Sequence, residues 1–281
     1  MAVGVHAAGQ QLRRVRSRER HRADPAAAGR LGHRVRVLAA SVTGAAHRRL
    51  GRDCQDAWAS ARTPAGLVLA IADGAGSREH AAKGARTAVA AACAPAESED
   101  DPLLGAFASA RRAVLGLASD PAPFACTLTV VVVGAAEVAA GQIGDGIVAV
   151  EQGGVEQGGV ARSAAVTARG EYANETVFLT SRDAMDALAV ERFPASEVTG
   201  VALSTDGLRS VILDDPAAGT LYEPFFTDLW AYARRESAAS DGLRAFLSEV
   251  PDGTGDDKTL VVAVPGATGE SRPPDNTDDP V

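Results

Sequence analysis

Four short apolar runs, residues 67–72, 128–133, 201–205 and 260–264, constrain this chain more than any other feature. They are built from small and β-branched side chains and are too short for helices of ordinary length, so each reads as a buried strand. Carboxylates mark their ends. Asp73 closes the first run, Asp206 closes the third, and Asp256-Asp257 precedes the fourth. Strand patterns at 33–41, 56–62, 67–73, 125–134, 137–143, 147–151, 198–205 and 259–264 together predict a sheet-rich core.

Residues 80–93, 102–118, 220–237 and 241–250 read as helices. In the second, Leu103, Leu104, Phe107, Ala110, Val114 and Leu117 recur at the spacing of one helical face. The order is strands, two helices, a meander of strands, then a strand, helices and a final strand. That is not the strict alternation of a doubly wound fold, so antiparallel sheets with helices packed outside them are expected. A direct repeat, Val-Glu-Gln-Gly-Gly at 150–154 and again at 155–159, reads as flexible turns and carries no chemistry.

With 46% hydrophobic residues in 281, the chain is able to bury one large core, and the composition of its ends argues for a single domain. Residues 1–36 hold nine Arg against Glu19 and Asp24, so a net charge of −8 over the whole chain leaves the remainder strongly acidic. So acidic a core excludes nucleic acid as its main partner. The Arg-rich arm, 1–34, lacks the apolar core of a signal peptide and is expected to be disordered, as is the Pro-, Gly- and Asp-rich tail, 266–281. No run is long enough to span a membrane, since the best candidate, 128–140, is cut by Gly134 and Glu137. Three cysteines, Cys54, Cys93 and Cys126, show no paired metal spacing and fit a reducing cytoplasm. Cys93 and Cys126 sit among small apolar residues and read as packing groups.

Carboxylates at the mouths of buried strands converge only if something offsets their repulsion. Oxygen donors without His or Cys favour magnesium or manganese over zinc. Asp73-Gly74 leaves a carboxylate and neighbouring carbonyls exposed at a tight turn, where glycine lets its own carbonyl approach an ion. Asp206-Gly207 repeats the arrangement before a short helix at 208–213. Each motif also has an ordinary reading, a turn for the first and a helix N-cap for the second. Residues 142–147, Gln-Ile-Gly-Asp-Gly-Ile, read as a hairpin turn. No phosphate-binding Gly-Lys-Ser/Thr loop, Asp-x-Asp or Gly-x-Ser-x-Gly nucleophile motif is present.

Six segments in order carry a resemblance: Gln55-Asp56-Ala57, residues 71–77 around Asp73-Gly74, Cys126-Thr127-Leu128, residues 142–146, residues 203–207 around Asp206, and residues 256–260 beginning Asp256-Asp257. Over about residues 35–265 the chain resembles the metal-dependent protein phosphatases of the type 2C family, in their bacterial serine/threonine form. The resemblance implies an α+β fold, a four-layer α-β-β-α sandwich of two antiparallel sheets flanked by helices, with two magnesium or manganese ions in a cleft at one end. By motif, Asp73 would bridge both ions, Gly74 would offer its carbonyl, and Asp206 and Asp256 would hold the other ion. Asp56, counted with the metal set, would orient metal-bound water, with no covalent phosphoenzyme.

Some positions depart from the commoner pattern. Gln55 stands where many members have Glu, and Gly51 where the family has a phosphate-holding Arg, for which Arg49 or Arg52 would substitute. Ala75 replaces the His that follows Asp-Gly in eukaryotic members. Asp120, near the segment that supplies a third ion's ligand, is off register by two. The function expected is hydrolysis of phosphoserine and phosphothreonine in proteins by metal-activated water, opposite a cognate kinase in the cytoplasm. The alternative is a catalytically silent relative that binds a phosphoprotein or a kinase. Calorimetric titration with manganese separates the two.

Overall fold

The apolar runs pair into two five-stranded antiparallel sheets. In this computed structural model the described residues are 31, 35–95, 101–153, 160–163, 176–216, 218–251 and 253–266. The Arg-rich arm, the acidic tail and the second copy of the Val-Glu-Gln-Gly-Gly repeat lie almost wholly outside them. One sheet orders β1 (Val35–Val42), β12 (Lys258–Pro265), β9 (Val198–Ser204), β6 (Ile147–Gln152) and β7 (Val160–Ser163). The other orders β2 (Ala57–Thr63), β3 (Gly66–Ala72), β4 (Leu128–Val133), β5 (Glu137–Ile143) and β8 (Ala189–Pro194).

Alternation along these strands builds three apolar layers. Leu69, Ile71, Val131 and Val133 of one sheet meet Val148, Val201, Leu203 and Val261 of the other. Outward from the second sheet, Val68 and Val130 pack under α2 (Ala81–Ala92) and α3 (Pro102–Leu115) through Val89, Leu103, Phe107 and Val114. Outward from the first, Leu38, Ala202 and Val262 pack under α5 (Glu223–Ala233) and α6 (Ser240–Glu249) through Phe225, Phe226, Trp230 and Leu247. The four-layer α-β-β-α sandwich expected above is therefore the fold. Asp101 caps α3, its side chain accepting from the backbone N–H of Leu103 and Leu104 at 3.1 and 3.2 Å, and Pro102 opens the first turn.

Several elements differ from the expectation, each for a local reason. A five-residue helix, α1 (Ala45–Arg49), is too short to show periodicity in the sequence. Strand β8 is an edge strand with Glu191 and Arg192 exposed, so it lacks the apolar alternation that marks its neighbours. The helix expected at 220–237 shrinks to α5 because β10 (Leu213–Asp215) and β11 (Thr220–Leu221) form a small hairpin before it. The helix expected at 208–213 is a 3₁₀ turn over Asp206–Leu208 followed by α4 (Arg209–Ile212). Residues 144–146 do not close a hairpin: β5 and β6 lie in different sheets, so this turn crosses from one layer to the other.

Candidate metal centre

Register brings the acidic segments to one end of the sandwich. Ala57 pairs with Ala72, so Asp56, just before β2, faces Asp73, just after β3. In the other sheet Ser204 of β9 pairs with both Leu260 of β12 and Ile147 of β6. Asp206 therefore emerges beside the 255–257 loop and the 144–146 turn. The 144–146 turn carries Asp145 to the same end from the other direction. Carboxylate oxygens of Asp73, Asp206 and Asp256 all lie within 4.8 Å of one another. Together with Gly74, Gly76, Thr127, Asp145, Thr176 and Phe178 they line an open cleft.

The backbone around Asp73 is fixed from two sides. Its N–H donates to Thr127 Oγ1 at 3.0 Å, and its carbonyl accepts from the N–H of Thr127 at 2.8 Å. Next to it, Gly74 bridges Cys126, and a Cβ there would come within 2.9 Å of the Gln55 carbonyl, so no larger residue fits. The second Asp-Gly is glycine for a harsher reason. A Cβ on Gly207 would stand 1.8 Å from the Asp257 carbonyl, and this close approach is what lets Asp206 meet Asp256.

The adjacent pair Asp256-Asp257 divides its work. Asp257 is buried and takes the backbone N–H of Gly44 at 2.7 Å and of Gln55 at 2.6 Å, with His47 Nδ1 2.9 Å away. Asp256 turns to the cleft. Asp56 is buried behind Asp73: its Oδ2 accepts from Thr205 Oγ1 at 2.8 Å and its Oδ1 has no partner.

Electrostatics makes the cluster expensive without a cation. Burial, then repulsion from Asp56, Asp206, Asp256 and Asp145, pushes the Asp73 carboxyl up to about 11. Burial, then Asp145 and Asp256, raises Asp206 to about 6, opposed by a hydrogen bond with Asp73 and by Arg209. Burial raises Asp56 to about 7, with Asp257 and Asp256 adding to it against the Thr205 and Thr259 hydrogen bonds. Asp206 Oδ1 is buried without a hydrogen-bond partner. Hard divalent cations fit this donor set, which offers carboxylates and carbonyls and no nitrogen or sulfur ligand.

Residues named from the sequence separate cleanly. Asp73, Gly74, Asp206 and Asp256 line the cleft, and Asp56 lies one layer behind it. Arg52 is exposed at the rim, where Nη1 donates to the Gly76 carbonyl at 3.0 Å. Arg49 is exposed and has no hydrogen-bond or ion-pair partner among the described residues. The Gln55 side chain is buried, with Oε1 unpartnered, and does not line the cleft. Asp120 lies outside it, accepting from the N–H of Ala122 at 3.0 Å. Asp145 was missed because Gly-Asp-Gly between two strands is the ordinary pattern of a hairpin, and only the change of sheet turns it inward. Thr176 Oγ1 donates to Asp145 Oδ2 at 3.2 Å. Cys93 and Cys126 are packing groups, and burial pushes both thiols up to about 12. None of the described helices is long and apolar enough to cross a membrane.

A family model described as protein phosphatase 2C matches residues 43–248. The serine/threonine-protein phosphatase 3 of Escherichia coli (strain K12) is 31% identical over 259 residues, which cover 82% of this chain and 98% of that protein. Among solved structures, the catalytic domain of the serine threonine protein phosphatase PstP in complex with two manganese ions superposes with a TM-score of 0.58 at 19% identity, covering 83% of this chain and 99% of that one. The S. agalactiae serine/threonine phosphatase gives 0.57 at 15% identity, covering 82% and 99%. At these identities the structural likenesses speak to the fold.

Proposed function

This chain belongs to the protein phosphatase 2C family and is a metal-dependent protein serine/threonine phosphatase, and we propose that Asp73, Gly74, Asp206 and Asp256 form its metal centre, built for two magnesium or manganese ions. The observation that carries this reading is the convergence of three carboxylates within 4.8 Å from three separate strand ends. By the motif it matches, Asp73 would serve both ions, with Gly74, Asp206 and Asp256 completing the set. Bound there, such ions supply Lewis acidity: they lower the pKa of a water and neutralise phosphoryl oxygens during in-line displacement.

The chain's own residues supply orientation. Asp56 is held by Thr205 through Oδ2, which fixes its carboxylate behind Asp73, from where it would orient metal-bound water. Between the two arginine candidates, Arg52 is the one whose guanidinium reaches the rim of the cleft, and it meets the phosphoryl oxygens there. Ala75 brings no acid to the leaving group. The catalytic unit is residues 35–265, and its substrates are phosphoproteins made by a serine/threonine kinase in the cytoplasm.

Manganese-dependent hydrolysis of an aryl phosphate and of a phosphothreonine peptide, abolished by Asp73→Asn and by Asp206→Asn, is the expected result. Full activity in excess chelator would overturn the reading.

A further inference from the structure

We propose that the basic knuckle at residues 48–52, Arg-Arg-Leu-Gly-Arg, is a docking site beside the metal cleft for an acidic and apolar segment of the phosphoprotein, two or three residues from the phosphorylated side chain. The proposal rests on the reading of the cleft as the phosphatase centre.

The knuckle is rigid. The N–H of Leu50 donates to the His47 carbonyl at 3.0 Å, that of Gly51 to Arg48 at 3.1 Å, and that of Arg52 to His47 at 2.9 Å. Gly51 turns the chain at φ +63°, a conformation that favours glycine, with open space around it. Underneath, Ala46 N–H donates to the Gly255 carbonyl at 2.8 Å and the buried His47 sits against Asp257. The base of the knuckle is thus bonded to the loop that presents Asp256.

Its apex is apolar. Leu50 is 66% exposed, more than any other large hydrophobic side chain among the described residues. A single exposed Leu is ordinary by itself. Here it is held outward by three backbone hydrogen bonds, flanked by arginines, and two residues from Arg52, which is bonded to the cleft wall at Gly76.

Charge sets the sign of the occupant's polar residues. The chain is net −8 and its cleft is acidic, yet Arg49 at the knuckle and Arg78 on the neighbouring 75–78 turn are exposed and have no carboxylate partner among the described residues. A carboxylate on the peptide pairs with these arginines while an apolar side chain covers Leu50. Rim ion pairs contribute little each and weaken in salt, so the apolar contact supplies most of the discrimination.

The test uses the full chain with manganese and two phosphothreonine peptides identical except near the phosphoresidue, one carrying Glu and Leu on each side, the other Lys and Gly. Wild type is expected to favour the acidic-apolar peptide by fivefold or more in kcat/KM. Leu50→Asp should erase most of that preference and leave aryl phosphate hydrolysis unchanged, and Arg49→Glu should lower it in a salt-dependent way. Equal kcat/KM on the two peptides, or a preference that survives Leu50→Asp, would overturn the proposal while leaving the phosphatase reading intact. A wild-type dimer in sedimentation velocity that Leu50→Asp dissociates would also overturn it, assigning Leu50 to self-association. Absence of activity on every substrate would instead sink the phosphatase reading beneath it.

Discussion

The carboxylate of Asp257 accepts the backbone N–H of Gln55 at 2.6 Å, tying the loop before β12 to the residue that precedes Asp56. Two adjacent aspartates therefore have opposite energetic signs. Asp257→Ala removes the acceptor for two buried N–H groups and should destabilise the fold by about 3 kcal/mol. Asp256→Asn relieves repulsion in the cleft, so the metal-free protein should melt at the same or a higher temperature while manganese affinity falls tenfold or more. Thermal denaturation with and without manganese, paired with calorimetric titration, separates the two.

Stability of the metal-free protein should decline as pH rises. Asp206 and Asp56 have folded pKa values of about 6 and about 7, above the ordinary aspartate value near 4. Between those limits the folded state holds more protons than the unfolded one, so these groups lose stability as pH climbs from about 4 to 7. Saturating manganese should flatten or reverse the trend. Denaturant midpoints across this window check it, and a rise with pH in chelator would contradict the assignment.

Asp73→Asn should raise the metal-free melting temperature and abolish activity together. The Asp73 carboxyl is the most strongly raised of the cluster, through burial and then four neighbouring carboxylates. Asparagine removes both the cost of keeping this carboxyl protonated in the fold and the central ligand. A variant that melts lower than wild type in chelator would count against this account.

Thr205 serves two groups: its hydroxyl donates to Asp56 at 2.8 Å and accepts from the N–H of Thr259 at 3.0 Å. Thr205→Val should cost about 1–2 kcal/mol of stability and lower kcat roughly tenfold with KM little changed, because Asp56 loses its orientation. Thr205→Ser should restore most of kcat, and single-turnover rates on an aryl phosphate report it.

Gly207→Ala should be severe for a single methyl. The added Cβ would meet the Asp257 carbonyl at 1.8 Å, a backbone atom that moves only if the 255–257 loop moves. Loss of manganese affinity at least tenfold is expected, with the outer helices unaffected by hydrogen exchange.

The fold was largely legible in the sequence, because the runs at 67–72 and 128–133 are too short and too apolar for anything but central strands. Strand β8 was not, since this largely exposed edge strand is set by pairing with β5 rather than by its own pattern. Asp73 and Asp206 stood out because each follows an apolar run directly. Asp145 did not, because its position depends on β5 and β6 belonging to different sheets.

Local sequence alone determined which segments are strands, where they stop, and that carboxylates stand at the stops. Periodicity and turn chemistry act over a few residues and are written in the chain. Motif position already favoured Asp256 over Asp257; only the tertiary structure decided that Asp257 is buried as an acceptor for Gly44 and Gln55, that Arg52 and not Arg49 reaches the rim, and that Leu50 stands exposed beside it. Those outcomes depend on register and layer between segments far apart in sequence, which no local pattern records.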